Sequence, residues 1–254
     1  MYEDRSGNFP VERDEVVPRR VRPATQTRRA FLGNLAATGL LSGAGAWLSP
    51  AARAAAYRAT VTALRQGVRG ERKAHTRYRV FGADAGQEGY HGIAYLFGAV
   101  ALSELIHAQN YNRVLVTLGQ KREEPVEVLP VLGTTKENVI TAMEAEIATI
   151  DDVYPAILAG VQVDDLAVAI QNVQYSWASH VQHRDTLEKI RRYSPDHFER
   201  VARRIDETSE HYYLCEICGS VQSEIPADHC PICNRDPGHY NYVDPKMLSV
   251  QVGD

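Results

Sequence analysis

The chain has 254 residues, 44% of them hydrophobic and 24% charged, which suits a soluble globular protein with one good-sized domain and one small one. A formal net charge of −4 excludes general nucleic-acid binding. The local basic clusters, Arg191-Arg192 and Arg200 to Arg204, are interleaved with acidic residues and read as solvated helix faces.

In chain order, residues 1–26 are polar and rich in Pro and Arg, the composition of a disordered leader. Residues 27–54 follow as Thr27-Arg28-Arg29-Ala30-Phe31-Leu32, an apolar Ala/Gly/Leu stretch to Trp47, and a small-residue cleavage pattern near Ala54. Paired arginines, a mildly apolar core and an A-x-A site are the marks of a twin-arginine export signal. The expected location is therefore periplasmic or otherwise exported. The alternative is an uncleaved membrane anchor, although Gly33, Asn34, Gly39, Ser42, Gly43 and Gly45 make a poor spanning helix. The twin-arginine route carries folded proteins, which suits a chain that must take up metal before leaving the cytoplasm.

Residues 58–193 predict four helices. The first spans 58–84, with Val61, Leu64, Val68, Ala74 and Tyr78 at helical spacing. The second runs from Tyr90 to Leu118. An extended crossover holds Pro125 and Pro130. The third helix spans Lys136 to Tyr154, capped by Thr134 or Thr135, and the fourth spans Val163 to Tyr193. Two helical hairpins joined by a crossover describe an all-α, ferritin-like four-helix bundle. Residues 194–211 read as a linker, 212–243 as a small metal ribbon, and 244–254 as a tail.

Glu71 lies on the first helix, Glu104 and His107 at i and i+3 on the second, Glu146 on the third, and His180 and His183 at i and i+3 on the fourth. Residues three apart share a helix face, so each pair can reach one interior point. One carboxylate from each of two helices, with a ligand pair from each of the other two, is how a bundle holds two metal ions. Glu104 and His107 sit among Ala99, Val100, Leu105, Ile106 and Ala108, where ionised groups need partners. His75 shares the face of Glu71, as an extra ligand or as a satisfied histidine of the core edge. Asp151 and Asp152 match the direction of Glu146 poorly.

All four cysteines fall within nineteen residues, as Cys215-Glu-Ile-Cys218 and Cys230-Pro-Ile-Cys233. Two such turns aim four thiolates at one point, forming a tetrahedral cage for iron, or alternatively zinc. Two disulfides are the competing reading.

From about residue 60 to 243 the chain resembles the rubrerythrin family. The resemblance rests on Gly70-Glu71 with Tyr78, Glu88-Gly89-Tyr90, Glu104-Leu-Ile-His107-Ala108, Glu146 with Tyr154-Pro155, and both cysteine pairs. It implies two iron ions, or a mixed metal pair, in the bundle and one iron in the four-cysteine site. Metal ligation falls to Glu71, Glu104, His107, Glu146 and His183, with His180 a further candidate, and Tyr78 hydrogen-bonds a site carboxylate. The implied activity is peroxidase-type oxidoreduction: hydrogen peroxide, or another small oxidant, is reduced with electrons relayed by Cys215, Cys218, Cys230 and Cys233. A homodimer and an extracytoplasmic electron donor that the chain does not name are the implied partners. The alternatives are metal oxidation or sequestration, and a non-enzymatic zinc-ribbon protein.

Two departures stand out. The fourth helix reads His180-Val-Gln-His183 where the family has Glu-x-x-His, and Thr149 stands where the family has a second, mobile glutamate. Three carboxylates against two ferrous ions leave about +1, and the change at 180 removes a potential metal bridge.

Overall fold

In the computed structural model, residues 49, 52, 55–124, 128–192, 197–208 and 211–249 are described. The chain divides into residues 1–47 and 48–254, and every described residue belongs to the second unit. The twin-arginine stretch and the leader lie outside the described residues, apart from positions 49 and 52.

Helix α1 (Arg58–Gln87) pairs with α2 (His91–Thr117) across a turn closed by Gly89 at φ 90°. Helix α3 (Thr135–Ala148) runs through a π-helical turn (Thr149–Val153) into α4 (Tyr154–Gln162), and α5 (Ala167–Arg192) returns along them. Helix α4 also packs on α1, and α2 packs on α5, closing a four-membered bundle. Close approach of α1 and α2 needs Gly67, where a Cβ would lie 2.8 Å from the Tyr111 ring.

The third helix thus passes Tyr154 and ends at Gln162, and the fourth starts at Ala167 rather than Val163. The wide turn explains the first difference. Tyr154 N–H bonds back to Thr149, five residues away, and Pro155 enters at the start of the next turn, where its missing N–H is tolerated. The break before α5 is held by Asp164, whose carboxylate accepts from Thr60 N at 2.7 Å. Thr134 caps α3 through a reciprocal capping box with Glu137.

The crossover is pinned where Asn112 exchanges hydrogen bonds with the Glu123 backbone and Arg65 meets the Glu123 carboxylate at 3.0 Å. Helix α2 is long and apolar enough to cross a membrane, but much of it is buried as the central helix of the bundle.

Residues 194–211, expected as a plain linker, contain helix α6 (Phe198–Glu207). It buries Phe198 and Ala202, stacks Phe198 edge-on against Tyr90, and seats Ile205 over Gly92. A three-stranded antiparallel sheet follows: β1 (Tyr213–Cys215) lies between β2 (Val221–Gln222) and β3 (Tyr240–Tyr242). Helix α7 (Pro245–Ser249) ends the described chain and leans on α2.

The core splits in two. Tyr78, Phe81, Phe97 and Ala101 belong to one apolar cluster, and Leu64, Val68, Tyr111 and Leu115 to another. On α1, Glu71 falls between Val68 and Ala74. On α2, Glu104 falls between Ala101 and Ala108. A buried polar layer therefore separates the two clusters. Replacing Thr134 with Ala removes one side of the capping box and is expected to lower stability by about 1 kcal/mol. Chemical denaturation of the metal-loaded protein measures this.

Candidate metal centres

The polar layer collects Glu71, Glu104, His107, Glu146, His180 and His183, all buried. Their ligand atoms form two overlapping groups, Glu71–Glu104–His107–His180 and Glu104–Glu146–His180–His183. Within each group the ligand atoms lie within 4.8 Å of one another. All six bundle positions expected from the sequence are thus brought to one place. His75 is not: its Nδ1 faces the Ala101 carbonyl at 2.7 Å, and it stands outside both groups as a satisfied histidine of the core edge. Asp151 and Asp152 are exposed.

His107 has a defined orientation. Its Nε2 donates to the carbonyl oxygen of Cys218 at 3.1 Å, so that nitrogen carries the proton. Its Nδ1 faces Glu104 Oε2 at 3.0 Å and Glu71 Oε2 at 3.4 Å. Burial lowers its pKa, but hydrogen bonds to Glu104 and Glu71 and their charges outweigh this and push it up to about 9. For Glu104, burial raises the pKa, while the His180 charge and hydrogen bonds from His107 and His180 hold it well below the carboxylate range. His180 is raised well above the histidine range: burial works against its cation, and the charges of Glu104, Glu146 and Glu71 prevail.

Two atoms of the layer are left over. Glu104 Oε1 and His183 Nδ1 face each other at 3.4 Å, buried and without a hydrogen-bond partner. Buried polar atoms are seldom left so, and a cation between them satisfies both. The donor set of three carboxylates and three imidazoles fits iron. Metal binding here displaces ring protons, so loading and proton release are linked.

Two phenols close the layer. Tyr78 donates to Glu146, a site carboxylate as the resemblance implied. Tyr154 donates to Glu71 Oε1 at 2.5 Å, and its ring stacks parallel to Trp177. Burial first, then the neighbouring carboxylates, hold both phenols well above pKa 10. In the sequence Tyr154 is only a landmark of the resemblance, with no role in the site. In an uninterrupted α-helix a residue eight beyond Glu146 points about 80° away from it. The extra residue of the π turn rotates Tyr154 back inward.

The second centre is in the ribbon. The four cysteines are free and buried, which sets aside the disulfide reading. Cys215 and Cys233 sulfurs are 3.8 Å apart, and those of Cys218 and Cys230 3.5 Å apart. Four sulfurs about 2.3 Å from a central ion lie about 3.8 Å from one another, so the cage fits one metal. The two turns are built alike. Gly219 N bonds to Cys215 O and Asn234 N to Cys230 O, each at 2.9 Å, with Gly219 at φ 81° and Asn234 at φ 56°. Tyr240 donates to Cys230 Sγ at 3.2 Å.

The ribbon sits on its own bundle, directly over the polar layer. Besides the His107–Cys218 bond, Asn110 donates to Ile217 O at 2.8 Å, and Ser103 and Ser179 both reach Gly219 O.

Fold and sites together define a rubrerythrin-like oxidoreductase: a ferritin-like bundle with a two-iron carboxylate–histidine site, followed by a rubredoxin-like single-metal ribbon. Residues 62–167 match the rubrerythrin family profile. Nigerythrin of Nitratidesulfovibrio vulgaris is 29% identical over 181 residues, covering 69% of this chain and 82% of the relative. Rubrerythrin-2 of Clostridium acetobutylicum is 28% identical over 176 residues, covering 68% and 91%. Solved structures of nigerythrin superpose well: the partially reduced state has a TM-score of 0.62 at 25% identity, covering 72% of this chain and 86% of that one.

A Cβ at position 219 would lie 2.4 Å from His107 Nε2 and 2.9 Å from Ser103 Oγ. Gly219→Ala is therefore expected to separate the ribbon from the bundle while both metal sites still fill. Faster limited proteolysis between residues 208 and 212, with unchanged metal content, is the expected readout.

Proposed function

We propose that the protein is an exported peroxidase, reducing hydrogen peroxide at the bundle site with electrons that enter through the ribbon. The observation that carries this reading is the hydrogen bond from His107 Nε2 to the Cys218 carbonyl, which joins a cysteine of the cage to a residue of the bundle site. The overall reaction needs two electrons and two protons for each peroxide, giving two waters. Bound iron supplies electron storage and polarisation of the O–O bond.

The chain's own residues supply the rest. A cavity of about 270 Å³ reaches Glu71, Tyr154 and His180, with Thr149 in its wall. The shorter Thr149 side chain leaves room there for a small oxidant. Tyr78 and Tyr154 keep their protons at neutral pH and hold them on Glu146 and Glu71, next to the reacting volume. The apolar clusters on both sides exclude water.

With a supplied reductant, the iron-loaded protein is expected to consume peroxide. Thr149→Trp, which fills the cavity, is expected to slow turnover at least tenfold with both metal sites occupied. Absence of peroxide turnover, alongside rapid oxidation of added ferrous iron, would favour metal oxidation and storage instead. A red cage with visible absorption identifies iron in the ribbon, and a colourless one zinc.

Export rests on Arg28 and Arg29 and the stretch that follows them. Changing both to Lys is expected to hold the protein in the cytoplasm at full length, as followed by fractionation of the native host. The electron donor is then an extracytoplasmic carrier. A homodimer is also part of this reading. Leu129 and Val131 on the crossover are 69% and 91% exposed, an apolar stretch suited to a second copy.

A further inference from the structure

His180 stands where a bridging carboxylate was expected from the resemblance, and its ring is turned so that its two nitrogens serve different neighbours. Nε2 lies 3.2 Å from Glu71 Oε2 and 3.2 Å from Glu104 Oε2, on the side of His107. Nδ1 lies 2.5 Å from Glu146 Oε2, on the other side. Glu104 divides in the same way, with Oε2 towards His107 at 3.0 Å and Oε1 towards His183 at 3.4 Å. Two residues, His180 and Glu104, therefore belong to both ligand groups, and each offers one donor atom to each group. A carboxylate with that placement is a bridge. So is an imidazole, provided that both ring nitrogens are free of protons.

We propose that His180 bridges the two metal positions as an imidazolate, Nε2 to the metal held with Glu71 and His107, and Nδ1 to the metal held with Glu146 and His183. This rests on the two-metal reading of the bundle site. Charge favours it. Three carboxylates with a neutral His180 leave two ferrous ions about one positive charge in excess, in a fully buried layer where net charge is costly. An imidazolate contributes the fourth negative charge and makes the site neutral. The proton balance is simple: the two ring N–H protons of His180 leave to solvent as two metals take their places, and no electron moves. A cation on each ring nitrogen is what makes loss of the second proton accessible. The substitution at 180 thus does not remove the bridge. It replaces a short bridge with a longer, rigid one.

The test uses the full-length protein loaded with two ferrous ions. Anomalous diffraction and X-ray absorption give the metal–metal separation and the ligands. The expected result is a separation beyond the ~3.5–4 Å common in two-metal sites, continuous density through His180 between the metals, and imidazole scattering at both. His180→Glu is expected to bring the separation back into that range with both metals retained. Two metals within that range in the unaltered protein, or His180 bound to one metal through one nitrogen, would overturn the bridge and leave the two-metal reading intact. A single metal in the bundle would overturn both. If His180→Glu fails to fold, diffraction from the unaltered protein alone decides.

Discussion

Six ionisable side chains fill the layer between two apolar clusters, and the rest of the molecule is arranged around keeping them there. A buried carboxylate or imidazole left without a partner costs on the order of 3–5 kcal/mol, so six of them unpaired would outweigh the stability of an ordinary domain. Without metal, the layer offsets most of its own charge. His107 and His180 hold protons against Glu71, Glu104 and Glu146. The pairing is incomplete at Glu104 Oε1 and His183 Nδ1. That loosely paired edge, 3.4 Å across, is where a cation is most readily accommodated.

The same constraint reaches outward. The Nδ1 of His107 can face the carboxylates because Nε2 is committed to the Cys218 carbonyl, which comes from another domain. The tyrosines have an equivalent role on the opposite side, each holding a carboxylate oxygen that would otherwise be free. Backbone and phenol partners therefore hold the ligands before metal arrives, as outer partners commonly do in metal sites.

Much of this was legible in the sequence. The i, i+3 pairs placed Glu104 with His107 and His180 with His183, and the two CxxC pairs pointed to the cage, with disulfides as the alternative that the free cysteines set aside. The bundle came from helical periodicity, and the cap of the third helix was narrowed to Thr134 or Thr135, of which the structure uses Thr134. Tyr154 was hidden because α-helical spacing directs it away from the site, and the π turn that rotates it back leaves no signature in composition. Helix α6 was missed although Phe198, Val201, Ala202 and Ile205 carry a clear helical stripe; a segment between two domains was read as a connection. The orientation of the His180 ring could not be read at all. Spacing fixes which face a side chain takes, but not which nitrogen meets which neighbour.

The contact at Gly219 has a bearing on how this protein can be divided. The first cysteine turn is at once part of the cage and the surface that covers Ser103, His107 and Ser179. A bundle prepared alone would leave the His107 ring without the carbonyl that orients it, and a ribbon prepared alone would present bare carbonyls where four side chains had bound them. The two domains look modular in the sequence, yet the boundary between them runs through the working parts. Grafting another protein's ribbon onto this bundle would therefore require a residue without a side chain at the matching point of its turn, whatever metal that ribbon carried.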